Sequence, residues 1–212
     1  MSSWLIQIEQ ELDWRVDELT NLKLLVARAR VGSVAQNALL RALTVMLYAH
    51  YEGFCKFIWD LYLDEIGKSK IKRKNCCESI IIFSLKKKFK ELSGNFSAKQ
   101  IWDEFSTHLP QLLEEEIKFD STLKTNSNLW PDLLKDNLEE IDLHCNVLIT
   151  HERDLKALLS RRNEIAHGQK NIIKSLSDYE KYERAVLDVM YDLSLIVIEN
   201  LDRSSYQISS SP

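Results

Sequence analysis

From Val34 to Ile66 the chain runs for about nine helical turns with no proline and with Gly53 as its only glycine. Leu39, Leu43, Met46, Leu47, Phe54, Ile58 and Leu61 recur along it at helical spacing, so the run predicts one long amphipathic helix. A stretch of this length cannot be several strands, because strands need breakers at every turn. The whole chain carries only 5 Gly and 3 Pro in 212 residues, which extends the same expectation to the rest. Ahead of it, Leu5, Ile8, Leu12, Val16, Leu19, Leu22 and Val26 mark a first helix from Trp4 to about Arg30. Gly32-Ser33 separates the two, with Ser33 as the expected N-cap of the second. Long helices joined so tightly should pack antiparallel.

Residues 67–75 are a basic connector. After it the spacing predicts shorter helices over 76–92, ended by Ser93-Gly94, and over 97–118, with Pro110 as a break. Phe119–Leu129 is polar enough to be a loop, and Pro131 suits the first turn of a short helix reaching about Ile141. A third long helix is expected from about Glu152 to Ala166, stopped by Gly168. A fourth begins at Ser177, which forms a capping box with Glu180, and continues to about Leu201. The fold class is therefore all-α: an antiparallel bundle of four long helices with a shorter helical insertion, residues 67–130, between the second and third. Residues 1–203 form one domain and the polar residues 204–212 a disordered tail.

The exclusions narrow the functional classes. No apolar run approaches the length of a membrane span, and Met1-Ser2-Ser3-Trp4 does not open a secretion signal. The four cysteines then read as reduced thiols of a cytoplasmic protein. Cys76-Cys77 with His144 and Cys145 fits no zinc-ligand spacing, so neither a metal nor another cofactor is expected. The net charge of −4 argues against a uniformly basic nucleic-acid coat. Residues 68–90 nevertheless hold nine basic side chains against the single acid Glu78. Lys72, Arg73, Lys74, Lys86, Lys87 and Lys88 in that stretch are candidate phosphate contacts. A solvated helix face beside a loop would carry the same charges. The five tryptophans lie on apolar stripes and read as core, and His50 as a histidine held in a helix interface.

The segment with chemistry in it is Leu158-Leu159-Ser160-Arg161-Arg162-Asn163-Glu164-Ile165-Ala166-His167-Gly168. A histidine with a free pKa of about 6.5 exchanges protons near neutrality. An arginine presents fixed donors that match phosphate geometry and keeps its charge. On a regular helix Arg162 and His167 are about 140° apart, so a site using both needs the helix to end near His167 or a second copy of the chain.

Arg162, Asn163 and, after four intervening residues from the arginine, His167 resemble the signature of the HEPN superfamily. Leu47-Tyr48-Ala49-His50-Tyr51-Glu52-Gly53-Phe54 resembles the second-helix segment of the MAE-type branch in its RiboL-PSP group, found beside restriction-modification and phage-defence genes. The resemblance implies a metal-independent endoribonuclease that leaves 2′,3′-cyclic phosphate ends, with Arg162, Asn163, His167 and the polar Glu52 as its catalytic set. Glu52 would orient Arg162, and Arg161 would contact RNA. It implies a homodimer that brings paired Arg and His residues into one cleft. It also implies the toxin or effector of a toxin–antitoxin or phage-defence system, silenced by an antitoxin or co-encoded protein. Toxins of the superfamily paired with a minimal nucleotidyltransferase carry a tyrosine two residues after the histidine; here Gln169 stands there, which leaves that mode of inactivation without its target. The alternative reading is a non-catalytic HEPN-like module that binds RNA, nucleotide or protein.

Overall fold

The computed structural model describes residues 2–94, 96–170 and 173–208, and the chain is all-α, with two isolated β-bridges and no strand among them. In chain order the helices are α1 (Ser3–Arg28), α2 (Val34–Lys68), α3 (Glu78–Ser84), α4 (Lys86–Leu92), α5 (Ala98–Asp103), α6 (Leu109–Glu114), α7 (Pro131–Glu139), α8 (Asn146–Ala166) and α9 (Leu176–Asp202). None is long and apolar enough to cross a membrane among the described residues.

Helix α2 is the centre of the fold because it is apolar nearly all round its middle. It packs on α1, α8 and α9, and Leu43, Leu47, Tyr51, Phe54 and Ile66 are wholly buried. The Ser33 hydroxyl caps it, accepting from the Gln36 amide at 3.1 Å. Helices α1 and α2 run in opposite directions: Glu18 meets His50 at 2.7 Å, and the earlier Arg15 lies over the later Phe54. Helices α8 and α9 do the same, with His151 2.8 Å from Asp188 and Arg161 reaching back to Tyr182.

Several elements differ from the sequence expectation. Helix α8 starts at Asn146, six residues ahead of Glu152, because Leu148 is buried and adds a turn to the seam that exposed Ile149 and polar Thr150 disguise. Helix α9 is capped by Ser175, which accepts from the Asp178 amide at 3.1 Å, not by Ser177; Tyr179 is fully buried and must already be helical. The 76–92 stretch divides at Leu85 into α3 and α4. The 97–118 stretch ends at Glu114, and a π turn over Glu104–His108 precedes Pro110, whose missing N–H the first turn of α6 tolerates. Beyond it the chain pairs with the connector, Ile117 donating to Ile71 at 2.8 Å. The expected disordered tail is ordered through Ile208: Tyr206 is buried, its carbonyl accepts from Cys77 at 2.8 Å, and Ile208 donates to Asn75 at 3.0 Å. Residues 209–212 lie outside the described residues. Of the tryptophans, Trp14 and Trp102 are exposed and belong to no core.

His50 makes the α1–α2 contact sensitive to acid. Burial lowers its pKa from 6.5, Glu18 pulls it back up, Arg15 opposes the proton, and the net direction is down. The unfolded chain therefore takes up a proton that the folded chain resists. This contribution to stability is complete above about 6.5 and is lost as pH falls below that value. Urea unfolding midpoints should drop with acidification through this window in the wild type and less so in His50→Gln. A midpoint that rises instead would mean that the Glu18 pairing dominates.

Candidate active site at the end of α8

The last turn of α8 is closed by a Schellman motif. Gly168 adopts φ +80°, its amide donates to Ile165 and that of Gln169 to Glu164, both at 3.0 Å. A side chain at Gly168 would be strained in this left-handed conformation. The motif leaves His167 as the C-cap, off the helical path, with its imidazole exposed. Arg41 of α2 donates to the Gln169 carbonyl and ties the segment after His167 to the helix that supports the site.

Arg162 is half-buried and fixed on three sides. Its guanidinium lies over the Tyr48 ring, 4.7 Å from the centroid. Its Nη1 donates to Asn163 Oδ1 and to Asn128 Oδ1, each at 2.9 Å. A guanidinium has five N–H donors, so these two bonds orient the fork without using it up. Burial and the neighbouring Glu52 carboxylate push the Tyr48 phenol above its ordinary range, so it stays protonated. It donates to Glu52 and accepts from the Leu129 amide at 3.0 Å. Glu52 also binds Lys56 Nζ at 2.6 Å. Burial acts to raise the Glu52 carboxyl, yet the bonds from Lys56 and Tyr48 outweigh it and hold the group below 4.5.

The structure thus brings Arg162 and Asn163 together, and it corrects the role expected of Glu52. Glu52 touches Tyr48 and Lys56, not Arg162; its hold on the arginine passes through the phenol. Two residues were missed as site members. Tyr48 lies on α2 one turn before Glu52, and that spacing is its signal in the sequence. Asn128 lies in what reads as a polar connector, and nothing in the sequence ties it to Arg162. No hydrogen bond joins the His167 imidazole to this cluster among the described residues.

The expected RNA contacts are largely occupied. Arg161 pairs with Glu164 at 3.1 Å and turns toward Tyr182 on α9. Arg73 is buried, donating to the Leu112 carbonyl at 3.0 Å with Glu115 at 3.3 Å, so it is a structural strut and not a surface contact. Lys72 and Lys74 share Glu114 at 3.3 and 2.8 Å, Lys86 pairs with Glu140, and Lys88 with Glu104 at 2.7 Å. Lys87 is exposed. The thiol of Cys145 is pushed up to about 12 by burial and by Asp192, and that of Cys76 to about 11 by burial and Cys77, so neither is a nucleophile near neutrality.

A family model described as HEPN_MAE_28990-like HEPN matches residues 4–206, a span that includes α1, the helices of residues 67–130 and buried Tyr206. No curated protein and no solved structure matches the chain.

Proposed function

The chain belongs to the HEPN_MAE_28990-like HEPN family, and from that premise we propose that it is a metal-independent endoribonuclease acting as a homodimer. The observation that carries the reading is the Arg162 guanidinium, held over Tyr48 by Asn128 and Asn163 one turn before the exposed His167. In the proposed reaction the 2′-hydroxyl oxygen attacks the adjacent phosphorus and the bond from phosphorus to the 5′-oxygen breaks. The products are a 2′,3′-cyclic phosphate and a 5′-hydroxyl. A base must accept the 2′-hydroxyl proton and an acid must supply one to the leaving oxygen. Each protomer offers one His167, so one protomer's His167 and the partner's His167 would share the two transfers. Arg162 supplies the fixed positive charge for the phosphorane-like transition state.

The branch's company of restriction-modification and phage-defence genes supports a role as the toxin or effector of such a system, held silent by a co-encoded partner. With Gln169 two residues after the histidine, that partner would act by some means other than adenylylating a tyrosine there.

The test is incubation of the wild type and His167→Ala with mixed RNA in excess EDTA, with analysis of the product ends and sedimentation of both proteins. Dimeric wild type should leave cyclic phosphates and His167→Ala should not, with a loss of about 10²–10⁴-fold. His167 is exposed, so its truncation should leave the fold intact. Equal cleavage by both proteins would remove His167 from the chemistry, and a monomer that cleaves would remove the shared site. RNA bound but left whole by the wild type would favour a non-catalytic binding module.

A further inference from the structure

We infer that Asn128 is a positioning residue for Arg162, and that the turn 125–129 makes the segment between α2 and α7 a working part of the active site. This rests on the nuclease reading above. Asn163 sits next to Arg162 on the same helix, so its bond cannot by itself fix where the guanidinium points relative to the rest of the fold. Asn128 can, because it arrives from 34 residues away and binds the same Nη1 at 2.9 Å. The Tyr48 ring blocks motion on one face and Asn128 blocks rotation within the plane.

The turn that presents Asn128 is held in an unfavourable shape. Asn126 and Ser127 both have left-handed backbones, φ 47° and 73°. Asparagine tolerates that region; serine does so at a cost. Such a conformation persists only where its surroundings over-determine it, and here both flanks are clamped by buried polar side chains. On one side Asn137 of α7, 2% exposed, accepts from the Lys124 amide at 3.2 Å and donates to the Lys124 carbonyl at 3.1 Å. On the other the Tyr48 hydroxyl accepts from the Leu129 amide at 3.0 Å. Between the clamps the Asn128 amide closes the turn on Thr125 at 2.8 Å. Two buried clamps on a strained turn are more than a solvent-exposed connector requires. They aim one amide oxygen at the arginine.

Asn128→Ala tests this, with two readouts. In steady-state cleavage, kcat should fall about 10–100-fold, as for a misplaced charge-stabilising group, with KM within about twofold and an unchanged thermal midpoint. A residue that only stabilised the turn would lower the midpoint and leave kcat per folded molecule alone, and that result overturns the inference. Independently of turnover, the Arg162 Nη–H signals in a side-chain NMR spectrum should show slowed guanidinium rotation in the wild type and faster rotation in Asn128→Ala. Unchanged rotation overturns the inference whatever the cleavage result. Faster rotation in a protein whose wild type binds RNA but never cuts it would sink the nuclease reading while supporting Asn128's hold on the guanidinium.

Discussion

An Arg162→Lys protein is expected to cleave RNA no faster than Arg162→Ala, with both slower than the wild type by at least about 10²–10³-fold. The charge is conserved in this substitution, so a purely Coulombic role would predict a mild effect. The geometry predicts otherwise. A flat guanidinium lies over the Tyr48 ring, 4.7 Å from its centroid, while its Nη1 reaches two acceptors, each 2.9 Å away. An ammonium is a compact, strongly hydrated point charge with no flat face to stack on the ring, and with both asparagines bound it keeps one donor for a phosphate where the guanidinium keeps a fork. In the wild type both asparagines bind Nη1, which leaves Nη2 and Nε for a phosphate; a lysine nitrogen would have to serve all three. Single-turnover rates under saturating RNA, with thermal midpoints to show that both variants fold, measure the effect. A lysine variant within about tenfold of the wild type would show that charge alone is sufficient and that the stacked, forked arrangement is incidental.

What the sequence made legible was whatever depends on neighbours along one helix. Ser33 caps α2 and Pro131 opens α7 where turn and cap chemistry put them, and Gly168 ends α8 because only a left-handed residue closes that motif. The pairing of Glu52 is half legible: Tyr48 and Lys56 lie four residues to either side of it on α2, and both are its partners. Its supposed contact with Arg162 needed the crossing of α2 and α8, which periodicity does not encode. The basic stretch was half legible for the same reason. Five of the nine cations within residues 68–90 find partners in Glu104, Glu114, Glu115 and Glu140, acids that the chain returns from elsewhere in sequence. Asn128 and Tyr206 were hidden most deeply, since each lies in a polar segment whose order comes wholly from what it docks against.

Tyr48→Phe separates the two services that this residue performs and should cost about 1–3 kcal/mol of folding stability. The ring remains, so the surface beneath Arg162 is kept. The hydroxyl is lost, and with it the acceptor of the Leu129 amide; Leu129 is completely buried, so its N–H has no water to turn to. A buried donor left without a partner costs more than the net worth of the bond that satisfied it. For a chain of this size the thermal midpoint should fall by about 2–4 °C per kcal/mol. The loss should also depend on pH, in a direction fixed by Glu52. Its folded carboxyl is held below 4.5 partly by the Tyr48 hydroxyl, against burial, so the ionised group contributes stability that is present above 4.5 and lost as pH falls through the lower, folded value. Removing the hydroxyl weakens that hold. The gap between wild type and Tyr48→Phe should therefore be widest near neutrality and should narrow as pH falls from 4.5 through the lower folded value, until Glu52 is protonated in both and only the share due to Leu129 is left. Urea unfolding across that range measures it, with an unchanged slope showing that the folded state is otherwise the same. A gap constant with pH would remove the Tyr48–Glu52 bond from the energetics, and no gap at all would mean that the Leu129 amide finds another acceptor and the turn has a clamp to spare.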